Sequence, residues 1–139
     1  MAILARMDGE ELACATDIVT SHFSAPFRLL RGPETGLTML RGRAGGEGAA
    51  FNLGEATVTR CSVVLEDGTI GHSWRLGRDK AAAQAAAWLD ALLQSHPDRD
   101  SLFARVIAPA AERQRARAEA KARRAAATEV RFATLAAMR

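Results

Sequence analysis

A β-branched run over 57–65 leads into Asp67-Gly68 and a return strand, and an alanine-rich stretch follows almost at once; no other feature restricts the fold of this chain so strongly. Thr57, Val58, Thr59, Val63 and Val64 have the residue types of a strand, and Asp-Gly between such a run and a return strand is a strong two-residue hairpin signal. In the return strand, Ile70, His72, Trp74 and Leu76 fall on one face, with Thr69, Ser73 and Arg75 on the other. Gly77-Arg78-Asp79-Lys80 then opens a helix over 79–95, with Asp79 placed as N-cap. Its stripe of Ala81, Ala85, Trp88, Leu89 and Leu92 is expected to cover one face of the sheet.

The flanking segments extend this α+β pattern. Residues 8–22 have Leu12, Ala15 and Val19 at helical spacing, and Pro26 ends any helix there. Phe27 to Arg31, the turn residues Gly32-Pro33-Glu34-Thr35-Gly36, and Leu37 to Arg43 read as a β-hairpin, and Gly45-Gly46-Glu47-Gly48 breaks the next strand. The expected fold is an antiparallel sheet of four or five strands with helices on one face. Past His96-Pro97, Ser101 to Ile107 forms a short helix, and Pro109 introduces a long Ala/Arg helix to about Ala127. Large apolar residues are almost absent from that helix, so little packing should hold it to its own body. Residues 1–110 are therefore expected to form one domain, and residues 111–139 a basic helical arm with an apolar tail for oligomer or partner docking.

Charge is divided along the same line. Residues 110–139 carry eight Arg/Lys against three Glu, a net +5, whereas the first 109 residues hold eleven cations and thirteen acids. Such an arm suits an acidic or polyanionic partner. It lacks interleaved aromatics, a zinc framework or a recognition-helix motif, so a nucleic-acid-binding regulator is only the alternative reading. No apolar run reaches the roughly 20 residues of a membrane span. Cys14 and Cys61 lie far apart, and the first residues lack the regions of a secretory signal, which points to the cytoplasm.

Few residues invite chemistry. At Gly77-Arg78-Asp79-Lys80 a helix start and two cations could bind phosphate through Arg78 and Lys80; the plainer reading is a turn, a cap and two solvated cations. Arg60, inside a β-branched strand, needs an edge or a carboxylate, with Glu34 and Glu55 as candidate partners, and phosphate binding is its other role. His72, on the apolar face beside Trp74, reads as a packed core or interface histidine, and Cys61 as a buried hydrophobe. Arg41 to Gly48 lacks the Gly-Lys-Ser/Thr ending of a nucleotide loop. Neither a metal-ligand spacing nor an activated nucleophile is apparent, so no catalytic residue and no metal site is assigned.

Gly54-Glu55-Ala56-Thr57-Val58-Thr59-Arg60, Glu66-Asp67-Gly68-Thr69 and Gly77-Arg78-Asp79-Lys80, with Glu34-Thr35-Gly36-Leu37 upstream and Ile107-Ala108-Pro109 downstream, resemble the PhnG family. This family supplies a small subunit of the bacterial carbon–phosphorus lyase core complex. The similarity covers roughly residues 29–110. It is weaker at the ends. Met1 to Arg6 resembles the middle of the family's first helix, so the chain is expected to start late, and Val130, Phe132 and Leu135 echo an apolar family tail with one aromatic missing. The resemblance implies a cytoplasmic homodimer assembled with PhnI, PhnH and PhnJ. It also implies an accessory subunit in organic phosphonate catabolism, supporting ATP-dependent formation of ribose 1-methylphosphonate 5-triphosphate with release of adenine. On this reading the chain holds no cofactor: ATP is a substrate of the complex, and an iron–sulfur cluster with S-adenosylmethionine belongs to a partner. Glu34, Glu55, Asp79, His72, Trp74 and the tail residues would then be structural or interface positions.

Overall fold

The computed structural model describes residues 1–22, 24–43 and 48–129. Its elements are a short 3-10 turn (Leu4–Arg6), α1 (Gly9–Thr20), β1 (Phe27–Arg43), β2 (Ala50–Leu65), β3 (Ile70–Leu76), α2 (Lys80–Ser95), α3 (Arg99–Leu102), a π turn (Phe103–Ile107) and α4 (Ala108–Ala126). The fold is α+β. Among the described residues the sheet has three antiparallel strands in the order β1-β2-β3, not four or five. The difference lies at Gly32-Pro33, where a hairpin was expected. β1 instead runs straight through, paired with β2 from Phe27↔Leu65 to Arg43↔Ala50. Its register slips between Leu29 and Arg31 and again between Arg31 and Glu34, and Gly32 sits there at φ +65°. A Cβ on Gly32 would lie 2.9 Å from the Arg60 carbonyl oxygen, so a residue type that reads as a turn is used here for a bulge.

α2 covers the sheet through small residues. Asp79 caps it by accepting from the Ala82 N–H at 2.8 Å. Its buried face holds Ala82, Ala83, Ala86, Ala87, Trp88, Leu89, Ala91 and Leu92; Ala81 is exposed and Ala85 half-buried, so the stripe is broader than expected and rotated. Five alanines on that face let the helix approach β3 closely. At Gly71 a Cβ would meet the Ala87 carbonyl oxygen and come within 2.6 Å of the Ala91 nitrogen. The Ser73 hydroxyl donates to the Ala83 carbonyl at 2.6 Å. α2 also protects the outer edge of β3: Asp90 accepts from the His72 N–H and Gln94 donates to the Ile70 carbonyl.

The buried face of β3 is thus Gly71, Ser73 and Arg75, opposite to its apolar face. Arg75, only 8% exposed, donates through Nη1 to the Leu4 carbonyl at 2.5 Å and through Nη2 to the Met7 carbonyl. These bonds tie the N-terminal turn onto the sheet. α1 packs beside α2, its start closed by a reciprocal capping box of Asp8 and Glu11. At the start of α4, Gln114 donates to the Ile3 carbonyl, and Arg113 and Arg117 pair with Glu11 at 3.0 and 3.5 Å. No helix among the described residues is long and apolar enough to cross a membrane.

Cys61 is buried and Cys14 exposed, and burial pushes the Cys61 thiol above its ordinary value. A thiol reagent at pH 8 should label one cysteine in the native chain and both after denaturation. Rapid labelling of both in the native chain would contradict this packing.

Candidate functional site

β2 and β3 turn a second face away from the helices, and the cross-strand register sets out its rows. Val64 pairs with Ile70, Ser62 with His72, Arg60 with Trp74, and Val58 with Leu76. β1 adds Arg28 beside Val64, Arg31 beside Ser62, Glu34 beside Arg60 and Gly36 beside Val58. Trp74 is 56% and Leu76 75% exposed on this open face. His72 is exposed too, so it is not a core histidine. The apolar side of β3 is free because the small and polar side serves α2.

Beyond the Val58↔Leu76 pair β3 stops, and β1 and β2 continue as a two-stranded ribbon to Arg43↔Ala50. Leu37, Met39, Leu40, Phe51 and Leu53 lie exposed along it, Leu37 and Leu53 at 64% and 63%. A two-stranded ribbon is at best marginally stable alone in water, and large apolar residues exposed on both of its faces, Leu37 and Met39 on the side of Thr57 and Glu55 and Leu40 on the other, suit burial against a neighbour.

At the centre of the open face is a charged cluster. Glu34 Oε1 accepts from Arg60 Nε at 2.7 Å and also from Arg31 Nε. Arg60 lies over the Trp74 ring, 5.5 Å from its centroid. Hydrogen bonding from Arg31, and then from Arg60, holds the Glu34 carboxyl below the usual carboxylate range. Two cations therefore share one carboxylate. Their Nη groups make no hydrogen bond among the described residues and are available to an acidic group of a partner or a ligand. Glu55 is exposed on the other side of β2, paired in register with Met39. Thr57 and Thr59 share that other side with Cys61; the Thr59 hydroxyl donates to the Gly77 carbonyl at 2.8 Å.

Ser62, which sequence reasoning passed over, lies 2.9 Å from His72 Nδ1. The register across the Asp67-Gly68 turn was the signal for this pair. Among the described residues no carboxylate hydrogen-bonds the His72 ring, so the pair lacks the orienting group of a catalytic dyad. No group of three or more His, Cys, Asp or Glu among the described residues could hold a metal ion.

Arg78 and Lys80 are exposed at the β3–α2 junction, away from this cluster along the chain. Between them Asp79 already occupies the helix start with its carboxylate, so an anion there would be held by the two side chains more than by helix amides. Val130, Phe132 and Leu135 lie outside the described residues.

The chain matches the family described as phosphonate metabolism protein PhnG over residues 1–137. It is 47% identical over 136 residues to the alpha-D-ribose 1-methylphosphonate 5-triphosphate synthase subunit PhnG of Rhizobium meliloti (strain 1021), covering 97% of this chain and 85% of that relative.

Proposed function

The chain belongs to the PhnG family of phosphonate metabolism proteins, and from this we propose that it is a non-catalytic subunit of a cytoplasmic ribose 1-methylphosphonate 5-triphosphate synthase. The observation that carries this reading is the open sheet face with its ribbon, which exposes Trp74, Leu76, Leu37 and Leu53 and is centred on two guanidiniums whose Nη groups make no hydrogen bond among the described residues. Such a surface suits a subunit better than a self-contained enzyme. Its work is to organise a homodimer and shape the active site of a partner in an assembly with PhnI, PhnH and PhnJ, with α4 as an arm. ATP is a substrate of that assembly, and the iron–sulfur cluster and S-adenosylmethionine belong to another subunit. Nucleic-acid binding gains little support from α4, where Arg113 and Arg117 pair with Glu11, and Arg115 and Arg123 pair with acids of the same helix.

Arg78 and Lys80 would face a phosphate-rich surface in this assembly. Arg78→Gln with Lys80→Gln should slow the triphosphate-forming step several-fold while the complex still purifies intact. Unchanged turnover would remove these residues from ligand binding, and loss of the complex would recast them as interface. The reading as a whole is tested by co-purification with the other subunits.

A further inference from the structure

Between α1 and α2 runs a groove of about 920 Å³. Leu12, Ala13, Phe27, Ala85 and Trp88 give it an apolar floor and walls. The charged residues that line it, Asp17 and Asp79, are both acidic. Trp88 is locked in place by its indole N–H, which donates to the Ala25 carbonyl at 2.9 Å, and its ring lies 6.0 Å from that of Phe27. The groove is therefore preformed, an apolar slot with negative charge at its margin, and the size suits a docked segment.

The sequence contains a segment of matching chemistry. Residues 130–139 carry four large apolar side chains, Val130, Phe132, Leu135 and Met138, together with Arg131 and Arg139 and no acidic side chain. α4 leads to it. The last tie of α4 to its own body is Arg117 with Glu11, and every residue from Arg115 onward in α4 is exposed. From Arg117 to Ala126 the helix adds nine residues, about 14 Å of travel past that tie. Among the described residues, the ion pairs of this stretch beyond Arg117 stay within α4 itself. A helix of this kind delivers its apolar end to a neighbour more readily than to its own groove.

We propose that the groove between α1 and α2 is the docking site for residues 130–139 of a second copy of the chain, so that two copies exchange their C-terminal segments. Apolar side chains of the segment fill the slot over Trp88, while Arg131 and Arg139 meet Asp17 and Asp79. Exchange is reciprocal by symmetry, each groove receiving the other copy's tail. This inference does not depend on which other subunits bind the open sheet face.

The test uses the full chain in a Cys14→Ser background. Ala85→Cys is placed in one tagged chain and Leu135→Cys in a differently tagged chain, and the two are co-expressed and gently oxidised. Ala85 is half-buried at the groove, so a cysteine there leaves the fold intact, as the circular dichroism spectrum should verify. The expected result is a disulfide-linked pair carrying both tags in at least about half of the mixed dimers, reduced at least five-fold when Ala13→Arg is added to the chain bearing Ala85→Cys. No linkage between the two tagged chains overturns the proposal. So does linkage that Ala13→Arg leaves unchanged. A chain carrying both cysteines that links only to itself would overturn exchange as well, because the tail would then occupy its own groove.

Discussion

Gly71→Ala should destabilise the chain by about 3 kcal/mol, at the upper end of what overpacking costs. The added methyl would meet the carbonyl oxygen of Ala87 and approach the nitrogen and Cβ of Ala91 at 2.6 and 2.8 Å. Two of these three atoms belong to the backbone of α2, so no side-chain rotation relieves the clash. The helix must lift from the sheet, which strains the Ser73 bond to Ala83 and the Asp90 bond to the β3 edge. For a chain of this length the unfolding midpoint should fall on the order of 10 °C. Gly36→Ala is the control, because nothing lies within 4 Å of its added Cβ and its φ is not positive. It should be neutral or slightly stabilising, since alanine loses less conformational freedom on folding. Equal midpoints for the two variants would mean that α2 does not rest on β3 as described.

The second large effect is expected on assembly rather than on folding. Leu76 and Leu53 are among the most exposed apolar residues, one on the open face and the other on the ribbon. Leu76→Asp and Leu53→Asp should leave the midpoint of the isolated chain within about 1 °C, since neither side chain is in the core. In the presence of the partner subunits each should weaken binding by roughly 30-fold or more, the scale of a hot spot of on the order of 2 kcal/mol. Titration calorimetry or co-purification would read this directly. Wild-type affinity in both variants would remove the open face from the interface.

Much of the local structure could be read from the residues alone. The hairpin reverses at Asp67-Gly68 as expected, but through a three-residue loop rather than a two-residue one: Leu65 donates to the Thr69 carbonyl around Glu66-Asp67-Gly68, and Gly68 alone takes a positive φ, +86°. Asp79 caps α2 for a local reason. What could not be read was which face of β3 goes inward. Four large side chains, Ile70, His72, Trp74 and Leu76, argued for one face, but the choice depends on the shape of what packs above. α2 presents alanines, and only the face bearing Gly71 and Ser73 lets such a helix settle. Arg75 shares that face because the backbone carbonyls of Leu4 and Met7 accept from its two Nη groups, leaving only the buried Nε without a partner among the described residues, which no pattern within the strand reveals. Gly32-Pro33 misled for a related reason: the residues that allow a turn also allow a bulge, and pairing with β2 decided between them. At the open-face cluster, Arg60 signalled its need of a carboxylate, but the choice of Glu34 over Glu55 required the register.

The most direct test of the central claim is co-expression of the tagged chain with its cognate PhnI, PhnH and PhnJ, followed by mass determination of the purified species. The account predicts a stoichiometric complex containing two copies of this chain, and its loss when Leu76→Asp and Leu53→Asp are combined in a chain that still folds. A wild-type chain that folds yet recruits none of the three would contradict it.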